Sequence, residues 1–280
     1  MKRPTTKGAR TGWAVVTGAS SGLGREFALA LAARGHPVLA VARRGERLRA
    51  LADEVGARGG RLEPLVADLS TTAGVKALLA RAGPLELELL VNNAGVATYG
   101  PFAASRVERG RELVRLNVEA IVALTGGLLP ALLARGHGGV INVASQMAFQ
   151  PMPYFAAYAA SKAFVLSFSE ALAEELRGTG VRVTAVAPGF ASTGFTEVAG
   201  SHEPERRFPH LRPRRVVDSA LRAHDRGRTV RVVGPLYALL TLAGRLTPRT
   251  VMRRMMGRAL RPAPASRPST PAAPLRVPVD

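Results

Sequence analysis

Tyr158, Ser161 and Lys162 fall within the run YAASK, residues 158–162. On a helix, residues four apart share a face, so the Tyr158 phenol and the Lys162 ammonium can act at one place. A free phenol, with a pKa of about 10, is a poor base near neutrality, but a neighbouring cation favours phenolate and lowers that value. Tyrosine then becomes a usable acid or base. Taken alone, such a pair is common on solvated helix faces, so its meaning depends on what else the chain supplies.

A second candidate is TGASSGLG, residues 17–24, with glycines at 18, 22 and 24 between a β-branched run and a helical pattern. Glycine lets the backbone turn tightly and approach a pyrophosphate, and a helix N-terminus offers free N–H donors. The turn therefore suggests a dinucleotide held by Gly18, Ser20, Ser21, Gly22, Leu23 and Gly24, with a plain tight turn as the alternative. Where such a site prefers NAD, an acid about 20 residues on binds the adenosine ribose hydroxyls. Here that place is Ala42, followed by Arg43 and Arg44, whose guanidinium geometry suits a ribose 2′-phosphate. This favours NADP(H); the competing reading is a solvated pair opening the charged stretch RRGERLR.

These residues need a scaffold that brings them to one edge. Short apolar, β-branched runs at 13–17, 38–42, 62–67, 87–92, 139–144, 182–187 and 229–233 read as strands. Helical patterns occupy 24–34, 46–55, 72–82, 106–135, 158–177 and 213–226. The alternation predicts an α/β fold, a single-domain Rossmann-type doubly wound parallel sheet of about seven strands. Ligands bind beyond the carboxyl ends of such strands. Just past those ends come, in chain order, Gly18, Arg43 with Arg44, Asp68, Asn93 to Gly95, Ser145, and Pro188 with Gly189. Turns favour several of these residue types anyway, but their coincidence along one edge describes a site.

Length and composition set the limits. A chain of 280 residues suits one large domain, and with 47% apolar but 5% aromatic residues its core is mostly aliphatic. There is no cysteine, which excludes disulfides, thiolate metal sites and a cysteine nucleophile, so redox chemistry must come from a bound cofactor. His36, His137, His202, His210 and His224 lack metal-ligand spacing; all read as surface or loop histidines, and no metal is expected. Residues 1–11 form a basic tail without the apolar run of a secretory signal, and a cytoplasmic protein is expected. The catalytic domain is expected over 12–234, with a mobile flap or long surface loop at 194–212. The proline-rich stretch 261–280 is left unstructured.

The net charge of +19 gathers in the C-terminal quarter. It would draw anionic partners, whether a phosphorylated cofactor, acyl carriers, nucleic acid or an acidic membrane, unless it is simply a solvated arginine surface. No nucleic-acid recognition module is visible and the arginines are not interleaved with aromatics, so nucleic acid is not expected. Residues 235–260 predict two amphipathic helices broken near Pro248, with stripes Leu236, Leu239, Leu240, Ala243 and Met252, Met255, Met256, Ala259. Arg245, Arg249, Arg253, Arg254 and Arg258 supply the polar side. The apolar run falls well short of the roughly 20 residues that span a bilayer. The stripes are expected to pack on the chain's own core or on a sister subunit of a homodimer or homotetramer. Peripheral contact with an anionic membrane is the less favoured alternative.

Together the motifs resemble the short-chain dehydrogenase/reductase family. Its marks are TGxxxGxG at 17–24, NNAG at 92–95, an Asn in the fourth helix (Asn117), a Ser (Ser145) thirteen residues before the Tyr of YxxxK, and PGxxxT at 188–193. The resemblance covers residues 12–234. It implies an oxidoreductase moving a hydride between C4 of NADP(H) and a carbonyl or secondary alcohol without a metal, acting on a small-molecule ketone or a 3-oxoacyl-type substrate. It further implies that Tyr158 exchanges the proton, Lys162 tunes it and holds the nicotinamide ribose, Ser145 binds the substrate oxygen, and Asn117 holds a relay water. Asp68 and Leu69 would lie along the adenine, with Asn93, Ala94 and Gly95 behind the adenosine side and Pro188, Gly189 and Thr193 beside the nicotinamide. Met147, Phe149, Met152 and Phe155 suggest an apolar substrate pocket, or else core or dimer contacts. A non-catalytic NADP(H) sensor or scaffold is the alternative function, against which the intact Ser145, Tyr158 and Lys162 set speaks.

Overall fold

The computed structural model describes residues 12–190 and 210–262. The N-terminal tail, most of the 194–212 segment and the chain beyond residue 262 lie outside the described residues. Seven strands, β1 (Trp13–Thr17), β2 (Val38–Ala42), β3 (Leu62–Val66), β4 (Leu87–Asn92), β5 (Gly138–Val143), β6 (Val181–Pro188) and β7 (Val230–Val233), form one sheet ordered β3-β2-β1-β4-β5-β6-β7. Every pairing is parallel. Winding reverses between β1 and β4, so the loops after these strands diverge and leave a crevice at the carboxyl edge.

Helices α1 (Gly22–Ala33), α2 (Gly45–Ala57), α3 (Thr72–Ala82), α4 (Val107–Val114), α5 (Ala120–Arg135), α6 (Ala156–Glu175) and α7 (Pro213–Asp225) cover the sheet. The strand period of two sorts the core into two layers. Ala14 and Val16 of β1 and Val38 and Ala40 of β2 meet Phe27 of α1, Leu48 of α2 and Val217 of α7. Val15, Leu39 and Val41 point to the other face, where Leu78 of α3, Leu124 of α5 and Leu172 of α6 cover them. With both faces buried the strands can be apolar throughout, as read from the sequence. Pro64 is tolerated because β3 is an edge strand.

The helix expected over 106–135 is α4 and α5 joined by a π turn, Arg115–Glu119, which carries Asn117. The stretch Val107–Arg135 is long and apolar enough by length and composition to cross a membrane, yet its stripe Leu116, Ala120, Leu124, Leu128 and Leu132 is buried on the sheet. One histidine reading is corrected: His224 is buried on α7, with Nδ1 3.2 Å from Thr184 Oγ1. It lies on the face of α7 that packs on β6, so the helix register buries it.

Two further helices, α8 (Pro235–Leu246) and α9 (Arg249–Ala259), extend from β7. Their orientation departs from the stripe expected to pack on the chain's own core. Tyr237 and Thr241 of α8 are buried, whereas Leu236, Leu239, Leu240 and Ala243 are exposed. Burying the tyrosine ring against Gly189 rolls the leucine stripe outward. On α9 Met252 is buried and Met256 half-buried, while Met255 and Ala259 face out.

Candidate active site

Helix α6 begins two residues before Tyr158, which places Tyr158 in its first turn and Lys162 one turn later. Tyr158, Ser161, Lys162, Val165 and Ser169 recur at helical spacing and are all buried. The Lys162 ammonium donates to the Val143 carbonyl at 2.7 Å, where β5 ends, and lies 5.9 Å from the centre of the Tyr158 ring. Ser145, just beyond β5, hydrogen-bonds the Tyr158 phenol, and its Oγ accepts the Met147 N–H at 3.2 Å. The loop after β5 and two consecutive turns of α6 thus bring hydroxyl, phenol and ammonium together.

Burial pushes Tyr158 up to about 12, with the Ser145 hydrogen bond pulling the other way. Burial also pulls Lys162 down to about 8. The sequence suggests a phenol lowered by its lysine; here desolvation is the larger effect and leaves the phenol raised, while the ammonium donates to the Val143 carbonyl.

Asn117 lies behind this group and is fully buried. Its Nδ2 donates to the Val96 carbonyl at 2.9 Å and to Ser161 Oγ at 3.0 Å, and its Oδ1 accepts the Val96 N–H at 3.0 Å. The side chain therefore clamps the loop after β4 onto α6. Gly95 packs tightly at that clamp, since a Cβ there would lie 3.1 Å from Asn117 Oδ1 and press on it.

The glycine turn sits at the other end. Ser21 is extended and α1 starts at Gly22, so the first free helical N–H groups belong to the turn itself. Gly18 has φ +69°, and a Cβ at Gly24 would lie 2.2 Å from the Gly18 carbonyl oxygen. Asn93 donates from Nδ2 to the Thr17 carbonyl at 2.8 Å, while Thr17 Oγ1 accepts the N–H groups of Asn93 and Ala94 at 3.0 Å each. Thr17, which sequence reasoning did not single out, thereby joins the carboxyl ends of β1 and β4.

Beyond Ala42 the two arginines separate. Arg44 donates to Ser20 Oγ at 2.9 Å and to Ser21 Oγ at 2.7 Å, at the mouth of the glycine turn. Arg43 is 3.3 Å from Glu112 and 4.0 Å from Asp68. Partial burial, then Arg47 and Arg43, lower the pKa of Arg44, the mark of crowded positive charge. Burial would raise Asp68, but hydrogen bonds from the Ser70 hydroxyl and N–H, followed by Arg43, outweigh it and hold the carboxyl below its usual value.

One continuous cleft of about 460 Å³ joins these groups. Gly18, Ser20, Ser21, Gly22, Leu23, Arg43, Arg44, Asp68, Leu69, Asn93, Ala94, Gly95, Ser145, Tyr158, Lys162, Pro188 and Gly189 all line it. Gly24 and Asn117 stand behind the wall, and Thr193 lies outside the described residues. The cleft has a cationic end at Arg44, a glycine-walled middle and a phenol–ammonium end.

Residues 12–204 match the family model for short chain dehydrogenase. The chain belongs to that family. The short chain dehydrogenases are oxidoreductases acting on alcohol and ketone groups. An uncharacterized oxidoreductase from Myxococcus xanthus is 44% identical over 189 residues, which cover 65% of this chain and 73% of that one. A very-long-chain 3-oxoacyl-CoA reductase from Phaeosphaeria nodorum is 32% identical over 68% of this chain but only 58% of its own length. Some relatives thus extend well beyond the shared part. Among solved structures, a short-chain dehydrogenase from Sphingobium yanoikuyae in complex with NADPH superposes with a TM-score of 0.76 at 31% identity, covering 93% of this chain and 98% of that one.

Within this dehydrogenase, several lining residues escaped the sequence reading. Arg47 is one helical turn beyond Arg43 and Arg44, so spacing within RRGERLR contained that signal. Phe190, inside the PGxxxT motif, and Gln146, the first residue of the loop after Ser145, line the cleft too, though the sequence reading did not single them out. Behind the lining, Tyr237, against Gly189, and Leu260, whose carbonyl accepts the Tyr99 hydroxyl at 2.9 Å, come from the extension and had no local signal.

Proposed function

We propose that the chain is an NADP(H)-dependent reductase and dehydrogenase of apolar ketones and secondary alcohols, 3-oxoacyl-type substrates included. The observation that carries this is the hydrogen-bonded Ser145–Tyr158 pair beside buried Lys162, in the same cleft as the glycine turn. When bound, the nicotinamide supplies or accepts the hydride. Tyr158 holds the proton that goes to the carbonyl oxygen in reduction, at pH values where its buried phenol stays protonated. Ser145 points at the same oxygen and stabilises charge developing there. Lys162 keeps a positive charge beside the phenol and would hold the nicotinamide ribose, while Asn117 fixes the loop carrying Gly95.

NADP(H) fits the cationic end. Ala42 offers no carboxylate to ribose hydroxyls, and Arg44, poised on Ser20 and Ser21 with Arg47 nearby, supplies a planar donor set for a 2′-phosphate. Asp68 and Leu69 would flank the adenine, and Asn93, Ala94, Gly95, Pro188, Gly189 and Thr193 the rest of the dinucleotide. The other end of the cleft suits an apolar carbonyl: Met147, Met152, Phe155 and Leu260 cluster around Tyr158, with Tyr99 and Phe190 packed against them.

NADPH consumption against ketones, aldehydes and 3-oxoacyl thioesters tests this reading. Turnover of apolar members, abolished in Tyr158→Phe with NADPH binding retained, is the expected result. Binding of NADPH without turnover of any carbonyl would replace it with a cofactor-binding scaffold.

A further inference from the structure

The extension exposes an apolar face that the catalytic reading does not use. On α8 the buried side is Tyr237 and Thr241, and opposite it Leu239 is 62%, Leu242 56% and Leu246 80% exposed. Leu236 and Leu240 flank them, and on α9 Val251 and Met255 are exposed as well. Scattered exposed leucines are ordinary, but this many on one short helix form a patch of the kind that marks an interaction site.

The surrounding charge points to what covers it. Between Arg226 and Val279 there are eleven arginines and no aspartate or glutamate. Arg249, Arg253, Arg254 and Arg258 of α9 are exposed and form no ion pair among the described residues. Next to the start of α8, Arg215, Arg222 and Arg231 surround a depression of about 370 Å³ that reaches Pro235 and Ala238. A two-fold contact through α8 and α9 would set the arginines of α9 against their own copies, and the stretch 226–279 holds no carboxylate to meet them. A surface offering phosphates above an apolar interior satisfies both features, since in-plane amphipathic helices bury apolar side chains at the headgroup boundary while arginines meet anionic lipid.

We propose that α8 and α9 form a docking face for an anionic phospholipid surface. The α8 leucines enter the acyl boundary, and the arginines of α9 and of the depression beside α8 meet headgroup phosphates. The end of α9 reaches the apolar cluster that contains Tyr158, where Met256 and the C-cap Leu260 pack. Delivery of a lipid-borne ketone from that surface rests on the substrate reading above, whereas binding does not, so each can fail without the other.

The test is sedimentation of the full chain with vesicles of phosphatidylglycerol and phosphatidylcholine, against phosphatidylcholine alone, with NADPH-dependent turnover of a water-soluble ketone followed in parallel. The full chain should pellet with the anionic vesicles, weakly with neutral ones, and less at high salt. Each arginine at such a surface strengthens binding by about fivefold, so Arg253→Glu with Arg254→Glu should weaken it by more than about tenfold. Leu239→Asp with Leu246→Asp should do likewise, and both variants should keep turnover. If the aspartates unfold the chain, Leu239→Ser with Leu246→Ser serves instead. The proposal is overturned if the full chain stays in the supernatant with anionic vesicles at low salt. It is equally overturned if binding survives both variants, or if light scattering shows that the leucine changes split an oligomer, which would make the face a contact between copies.

Discussion

The ring of Tyr237 lies so close to Gly189 that a Cβ there would come within 2.1 Å of it, and the Tyr237 hydroxyl accepts the Phe190 N–H at 3.3 Å. Helix α8 therefore backs the Pro188–Gly189 wall of the cleft. Gly189→Ala must displace the ring, at a cost of about 1–3 kcal/mol typical of overpacking. It should raise KM for NADPH more than it lowers kcat. Tyr237→Phe keeps the ring and loses about 1 kcal/mol of hydrogen bonding, leaving KM nearly unchanged. Thermal melts and steady-state kinetics on both variants check this; a Gly189→Ala protein that melts like the parent would contradict the packing.

Cofactor preference should follow Arg44 rather than Arg43. Arg43 is answered by Glu112 and Asp68, whereas Arg44 rests on two neutral hydroxyls and keeps its full charge for a ligand. Arg44→Ala should weaken NADPH binding by tenfold or more, in line with the roughly 1.5–3 kcal/mol of a charged hydrogen bond. Arg43→Ala should change it by less than about threefold. Ala42→Asp with Arg44→Ala should reverse the preference toward NADH. Titration of both reduced cofactors decides, and equal affinity of the parent chain for each would sink the assignment.

The fold was legible because its signals are local and redundant. The run 38–42, VLAVA, is apolar throughout, and only a strand covered on both faces tolerates that. The cleft residues were legible because parallel topology sends every strand end to one edge, so Gly18, Asn93 and Ser145 could be read from their place after a strand. The unreadable part depended on partners distant in the chain. Nothing in LYALL says that Tyr237 rather than the leucine stripe turns inward; the space at Gly189 decides it. Likewise the phenol was expected to be lowered by Lys162, but the degree of burial that raises it is a property of the packed site.

The two shifted groups set a pH dependence for catalysis. With Tyr158 at about 12, the proton donor proposed for reduction stays protonated throughout the neutral range. With Lys162 at about 8, its positive charge, which favours the phenolate left behind, is lost as pH rises through that value. Reduction should be level from about pH 6 to 7.5 and fall above about 8, with kcat/KM reporting the free enzyme. Tyr158→Phe should lower kcat by at least about a hundredfold at every pH, the usual range for losing a general acid. A reduction rate that instead climbs above pH 8 would contradict these roles.

His224 gives a stability prediction independent of the chemistry. Burial, against the smaller opposing effect of Asp225, pulls it down to about 4 from an ordinary value near 6.5. A histidine with a depressed folded pKa is neutral in the native state, so between these values the unfolded chain binds the extra proton. Stability is then complete above about pH 6.5 and declines as pH falls toward 4, by about 3 kcal/mol for this one group. His224→Leu removes that titration while Thr184 keeps its hydrogen bond to the Arg228 carbonyl at 3.0 Å. The variant should lose some stability at pH 7 from the missing Thr184 contact, yet lose less than the parent on going to pH 4.5. Urea unfolding at both values measures the difference, and parallel acid losses in the two proteins would show that His224 is not the group responsible.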